Sequence, residues 1–216
     1  MSAPQRRPRG RPVGGGNTTE QARQVLLDAA EQYFVEGGGA AFTMEAIAAE
    51  AGYSRSAIYR QFTNRQELIA ALVQRTTQRH MLAMLQQVTA DATPIDLLLD
   101  SLVIVASQLV HDPLLKTVAA QTPDGTVATL IANDGSLTRM VQSMVEGMLA
   151  ESVPGQFRAG LHPHDLAQFI ISTALSLLLD VVPGSSDPTV ARSYLETFVL
   201  PAIVEKPPPA TRVFPE

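Results

Sequence analysis

Residues 43–62 run T-M-E-A-I-A-A-E-A-G-Y-S-R-S-A-I-Y-R-Q-F, two short helical patterns meeting at Ala51-Gly52-Tyr53-Ser54. Thr43 suits an N-cap, because its hydroxyl accepts a hydrogen bond from a first-turn N–H that lacks a helical partner. Ile47, Ala48 and Ala51 then form one apolar stripe. Gly52 follows the last periodic residue, where a left-handed backbone ends a helix at least steric cost. Ser54 is the next N-cap, and Ala57, Ile58 and Phe62 supply the inward face of the second helix. Its other face carries Arg55, Ser56, Tyr59 and Arg60, with no acidic residue from Tyr53 to Gln66. This is the pattern of a helix-turn-helix, whose second helix enters the major groove of DNA. Arginines and hydroxyls at the exposed start of that helix can bond guanine edges and phosphates.

The flanks support the same reading. Thr18 and Gln21 have capping-box spacing, and Ala22, Val25, Leu26, Ala29 and Tyr33 make an amphipathic stripe ending at Gly37-Gly38-Gly39. That helix can cover the back of the hairpin. Downstream, Asn64-Arg65-Gln66-Glu67 again has capping-box spacing and opens a long pattern through Leu68, Leu72, Val73 and Met81. A basic residue in a first turn opposes the helix dipole, so Arg65 is placed either for an external phosphate or simply for solvent.

The run T-x-x-x-I-A-x-x-A-G-Y-S-x-x-x-I-Y-x-x-F followed by N-R-Q-E-L resembles the DNA-binding domain of the tetracycline-repressor (TetR) family, over about residues 18–72. The resemblance implies an all-α chain: a three-helix helix-turn-helix domain, then a helical domain that dimerises and usually holds a small-molecule pocket. By position, Thr43, Arg55, Ser56, Tyr59 and Arg65 match family residues that commonly touch DNA. With Ser54 and Arg60 they form the expected DNA-contacting set. Two departures are mild: Ser56 stands where glycine is frequent, and Arg65 replaces the usual lysine, keeping the charge with a different fork geometry.

Residues 1–16 are rich in Arg, Pro and Gly and cannot bury enough surface to fold alone. They are expected to be a disordered basic arm. Within them Arg6, Arg7, Arg9 and Arg11 surround a P-R-G-R-P run that resembles an AT-hook core. An extended Arg-Gly-Arg can lie in a narrow minor groove, whose negative potential attracts inserted arginines.

The formal net charge of −5 conceals an asymmetry. Residues 1–80 hold ten Lys or Arg against seven Asp or Glu, a net +3, whereas residues 81–216 hold six against fourteen, a net −8. The positive field is concentrated where the helix-turn-helix lies. The chain has no cysteine, so disulfide and thiol chemistry are excluded. Nothing at the N-terminus forms an apolar h-region. The longest uncharged apolar stretch, Leu166–Leu179, falls short of the ~20 residues that span a bilayer. A cytoplasmic, nucleoid-associated protein without membrane contact is expected. His162-Pro163-His164 is a weak metal-ligand set, and no nucleophile elbow, Walker loop or dinucleotide fingerprint occurs. No metal, cofactor or enzymatic role is expected.

Beyond Gln74 the sequence reads as successive helices. Thr93-Pro94 opens one, Ser136 can cap another through Met140, Val141, Met144, Val145 and Met148, and residues 165–182 form a helix apolar on two faces. Such a helix needs cover on two sides. A last helix, 187–204, carries Val190, Tyr194, Leu195, Phe198, Val199 and Ile203. These two helices pairing with their symmetry mates would give a two-fold, four-helix homodimer interface. The methionines suit a pocket for apolar molecules and equally an ordinary core. Leu102, Val105, Gln108, Met140, Met144, Phe169 and Ser172 are the expected pocket residues. The domain plan is a basic arm (1–16), a DNA-binding domain (17–64), a ligand-binding and dimerisation domain (65–205) and a disordered tail (206–216). The expected function is a regulator, a repressor released from a palindromic double-stranded operator by a small, largely apolar effector. The alternative is an architectural, nucleoid-associated DNA binder with no effector.

Overall fold

The computed structural model describes residues 18–36, 42–87, 93–123 and 126–214; the arm at 1–16 lies outside them. The described residues form ten α-helices: α1 (Thr19–Glu36), α2 (Met44–Glu50), α3 (Arg55–Gln61), α4 (Arg65–Gln87), α5 (Pro94–Ser107), α6 (Pro113–Gln121), α7 (Thr126–Ala132), α8 (Gly135–Ala150), α9 (Pro163–Leu178) and α10 (Pro188–Tyr194). Their only strand-like pairing is an isolated antiparallel bridge between Phe157 and Val204. The chain is all-α, as its periodicity predicts.

Side chains set most of the helix starts. Thr18 and Gln21 exchange backbone-to-side-chain hydrogen bonds of 2.8 and 3.2 Å, a reciprocal capping box. Thr93 and Asp96 do the same at α5, and Pro94 sits at the tolerated first position. The α8 cap differs from expectation. Asp134, not Ser136, accepts the first-turn N–H groups of Ser136 and Leu137, because a carboxylate also complements the dipole. Ser136 instead donates its hydroxyl to Asp134 at 2.6 Å. α9 ends at Leu178, four residues before Val182, where Asp180 turns left-handed (φ 52°). The expected 187–204 helix is interrupted: α10 passes into a π turn at Leu195–Val199 and a 3-10 turn at Leu200–Ala202.

Two buried clusters organise the molecule. The first joins α1, α2 and α3 to Leu68, Ile69, Leu72 and Val73 of α4, and continues through Leu114, Leu115 and Val118 of α6 to Val127 and Ile131 of α7. The hydrophobic core therefore does not break at residue 65. The second cluster joins Leu98, Leu99 and Leu102 of α5 to Leu166, Ile170 and Leu177 of α9 and Ala191, Leu195 and Val199 around α10. α10 packs chiefly on α5, while α9 lies between α5 and α8.

The run Pro94–His111, α5 with the 3-10 turn that follows it, is long and apolar enough, by length and composition, to cross a membrane. It contains Asp96 and Asp100, so Leu166–Leu179 remains the longest uncharged apolar stretch. Here α5 is packed between α9 and α10. The tail is not structureless from 206 onward: the Thr211 amide donates to the Thr197 hydroxyl at 3.4 Å, and Phe214 stacks on Phe198 with centroids 6.5 Å apart. Three consecutive prolines stiffen this segment, so little conformational entropy opposes laying it down.

Candidate nucleic-acid interface and internal cavity

The head is built from short helices held at their ends. Thr43 caps α2 by accepting from the Ala46 amide at 3.1 Å, and Ser54 caps α3 by accepting from the Ala57 amide at 3.3 Å. Between them Gly52 takes φ 71°, the left-handed conformation the turn requires. Ala57, Ile58 and Phe62 are buried against α1 and α2, which forces the opposite face of α3 outward. Ser54, Arg55, Ser56, Tyr59 and Arg60 are all exposed there. The Ser54 and Ser56 hydroxyls lie 3.0 Å apart.

The cations of the head are held by aromatic rings and carboxylates. Arg23 donates to the Gln61 carbonyl at 2.9 Å, with its guanidinium 4.3 Å from the Phe62 ring centre. Arg65, exposed at the first position of α4, stacks 4.5 Å over the Phe42 ring. Stacking orients the guanidinium and leaves its in-plane N–H groups available. The start of α4 is capped by Asn64, which accepts from the Glu67 amide at 2.9 Å. The Glu67 carboxylate reaches back to Thr63 rather than to Asn64, accepting its amide and hydroxyl at 2.7 and 2.6 Å. Those bonds, the hydroxyl first, hold the Glu67 carboxyl below its ordinary pKa.

One acidic residue in this surface escaped the sequence reading. Glu45 of α2 reaches α3, with its Oε1 3.0 Å from Arg55 Nε and accepting from the Tyr59 hydroxyl at 3.3 Å. The acid-free window from Tyr53 to Gln66 is real, but the fold brings Glu45 into it from ten residues upstream.

α4 is clamped to α1 by charge. Arg75 lies 2.6 Å from Asp28 and 2.5 Å from Glu31, and Arg79 lies 2.8 Å from Glu31. Burial pushes the Glu31 carboxyl up, but hydrogen bonding and charge from Arg79 and Arg75 outweigh it and hold the group below its ordinary pKa. Farther along α4, Gln74 donates to Ser136 at the start of α8 at 3.0 Å. His80 Nε2 lies 2.8 Å from Asp112. Asp112 also caps α6, accepting from the Leu114 and Leu115 amides at 2.9 and 3.0 Å.

A cavity of about 670 Å³ lies among α4, α5, α8 and α9. Its walls are mostly apolar, with Met81 and Met84 of α4, Leu102 and Val105 of α5, Met144 and Met148 of α8 and Ile171 and Ala174 of α9. The polar groups in the lining include Thr77, His80, Ser101 and Ser143. Of the expected pocket residues, Leu102, Val105 and Met144 line the cavity. Gln108, Met140, Phe169 and Ser172 do not. Gln108, Phe169 and Ser172 are exposed, and Met140 packs on the first core cluster. The inward residues of α9 are Ile170, Ile171, Ala174, Leu175 and Leu178, so the helix is rotated relative to the expected pocket face. Among the described residues no three His, Asp or Glu side chains converge as a metal site.

This arrangement matches known proteins at two levels. Residues 26–72 match the family model of bacterial regulatory proteins, tetR family, and all seven expected DNA-contacting residues fall within that span. Two uncharacterized HTH-type transcriptional regulators of Mycobacterium tuberculosis are each 34% identical over 97 residues, 45% of this chain and 48% of theirs. The chain thus spans about half the length of these relatives. Over most of the chain the fold resembles that of the R. erythropolis transcriptional repressor QsdR, a TetR-family protein (18% identity, 82% of this chain and 94% of that one, TM-score 0.60). A TetR-family regulator from Pectobacterium atrosepticum is similar (18% identity, 88% and 97%, TM-score 0.62). So is SmeT, the repressor of the Stenotrophomonas maltophilia multidrug efflux pump SmeDEF (27% identity, 91% and 99%, TM-score 0.52). Residues 26–72 thus carry the helix-turn-helix described by the tetR family of bacterial regulatory proteins, and the described residues share the all-helical fold of these TetR-family structures.

Proposed function

We propose that this transcriptional regulator is a homodimeric repressor that binds a palindromic operator through α3 and is released by a small, largely apolar effector held in the cavity. The observation that carries the proposal is the double duty of α4. Its first turns share the core of the DNA-binding head, and its later turns, at Thr77, His80, Met81 and Met84, wall the cavity. A molecule that prefers one position of α4 therefore also prefers one placement of α3. Such a ligand acts only through its differential affinity for the two states, and a coupling of about 1–3 kcal/mol weakens DNA binding roughly 5–150-fold.

Thr43, Ser54, Arg55, Ser56, Tyr59, Arg60 and Arg65 make the DNA contacts in this reading, and Arg6, Arg7, Arg9 and Arg11 add a minor-groove grip. The dimer forms through 165–182 and 187–204, supported by the exposure of Phe169, Leu179, Val181 and Phe198 on those segments. Its two-fold symmetry suits paired half-sites about one helical turn apart. The likeness to the SmeT repressor supports repression over activation. The cavity size falls in the range of drug-sized ligand sites and favours an effector over the architectural alternative, which needs no interior space. A cytoplasmic, nucleoid-associated location follows.

Two measurements test this. Duplexes enriched from a random-sequence pool by the full chain should share an inverted repeat, and an enriched set without one would overturn the dimeric operator. In a thermal-shift screen of neutral apolar compounds, some should raise the melting temperature. Uniform indifference across the panel would favour the architectural binder.

A further inference from the structure

We propose that Glu45 is a specificity-determining positioning residue of the head: it holds Arg55 by the inner nitrogen of its guanidinium, aiming the outer amino groups at a guanine edge while blunting the attraction of Arg55 for phosphate. This rests on the reading of α3 as the DNA-contacting helix.

Three observations carry it. A single oxygen, Glu45 Oε1, faces both Arg55 Nε at 3.0 Å and the Tyr59 hydroxyl at 3.3 Å, so one carboxylate organises two residues one turn apart on α3. The Arg55 guanidinium lies 5.6 Å from the Tyr59 ring centre, giving the same arginine a second constraint. The ion pair engages Nε, leaving Nη1 and Nη2, the pair whose geometry matches guanine O6 and N7. The Arg55 and Glu45 side chains are 73% and 43% exposed, and ion pairs that exposed contribute little to stability. A carboxylate on a face that must approach phosphates also opposes affinity for DNA in general. What it supplies is discrimination. An arginine released from Glu45 can reach any nearby phosphate, a contact that carries no sequence information.

The test uses the full chain, a duplex enriched from a random pool by the wild type, and a shuffled duplex of equal length. Both affinities are measured across a salt series. Glu45→Gln should tighten binding to the shuffled duplex, steepen its salt dependence by about 0.9 in the log–log slope, and lower the enriched-to-shuffled ratio about five- to tenfold. Glu45→Asp keeps an acid in the first turn of α2 but withdraws it from Arg55, so it should lose discrimination too. A normal ratio in Glu45→Asp would assign Glu45 to the helix dipole and overturn the proposal. In an Arg55→Ala background, Glu45→Gln should change the ratio no further; a further loss would mean that Glu45 touches a base itself, and would also overturn it. An unchanged ratio in Glu45→Gln overturns the role of Glu45 alone. A wild type that enriches no sequence overturns the DNA reading with it.

Discussion

α3 and α9 expose opposite chemistries. The outward face of α3 presents Ser54, Arg55, Ser56, Tyr59 and Arg60, whereas the outward face of α9 presents Gln168, Phe169, Ser172 and, just beyond its end, Leu179. Both helices bury their other faces in a core, so burial alone does not distinguish them. An exposed basic, hydroxyl-rich helix suits a polyanion, and an exposed face centred on Phe169 and Leu179 suits a second apolar surface. The two faces therefore suit different partners, and the cavity-lining turns of α4 lie in the same helix that joins the core of the DNA-binding domain.

The largest expected effect asks whether the two regions unfold as separate bodies. Phe62 is fully buried in the head, in a core that runs on into α6 and α7. Phe62→Ala should cost about 3–5 kcal/mol, read as a shifted but still single urea transition. Two resolved transitions would show that the head folds independently of α6 and α7. Next in size is the α9 face: Phe169→Asp should weaken the dimer by about 2 kcal/mol or more, as an interface anchor does. Sedimentation would then show a species near 23.2 kDa with helical content retained. A dimer unaffected by that change would move the interface elsewhere. On the other helix, Arg55→Ala should cost about 1–3 kcal/mol on enriched DNA and relax preference at one base pair. Equal losses on enriched and shuffled DNA would make Arg55 a backbone contact.

The smallest effect concerns the clamp that joins the head to α4. Glu31 is held below its ordinary pKa in the folded protein, so its pairing stabilises the fold above the unfolded pKa, near 4.5. That contribution disappears as pH falls through the lower, folded value. Glu31→Gln should destabilise the protein by about 1–2 kcal/mol at pH 7, since bonds to charged groups contribute about that much when partly solvated. The gap from wild type should narrow as pH falls below 4.5 and close once it passes the lower, folded value. A gap independent of pH would remove the charge from the explanation.

The head was legible in sequence because its determinants are local. Thr43, Gly52 and Ser54 each act on a backbone group within three residues. The cavity was less legible because it depends on helix rotation. α9 is apolar on two faces, and periodicity could not say that Ile171 and Ala174 would turn inward while Phe169 and Ser172 turned out. Likewise Val141 lines the cavity and its neighbour Met140 does not, although both pack on the first core cluster. Glu45 was missed for a related reason: its partners Arg55 and Tyr59 lie on the next helix, and only the turn at Gly52 folds α2 back against them.

One titration tests the coupling of the cavity to α3 most directly. The affinity of the full chain for its enriched duplex is measured by fluorescence anisotropy, with and without a saturating apolar ligand shown by thermal shift to bind. If α4 couples the cavity to α3, Kd should rise roughly 5–150-fold when the ligand is bound. An unchanged Kd with the ligand bound would contradict it.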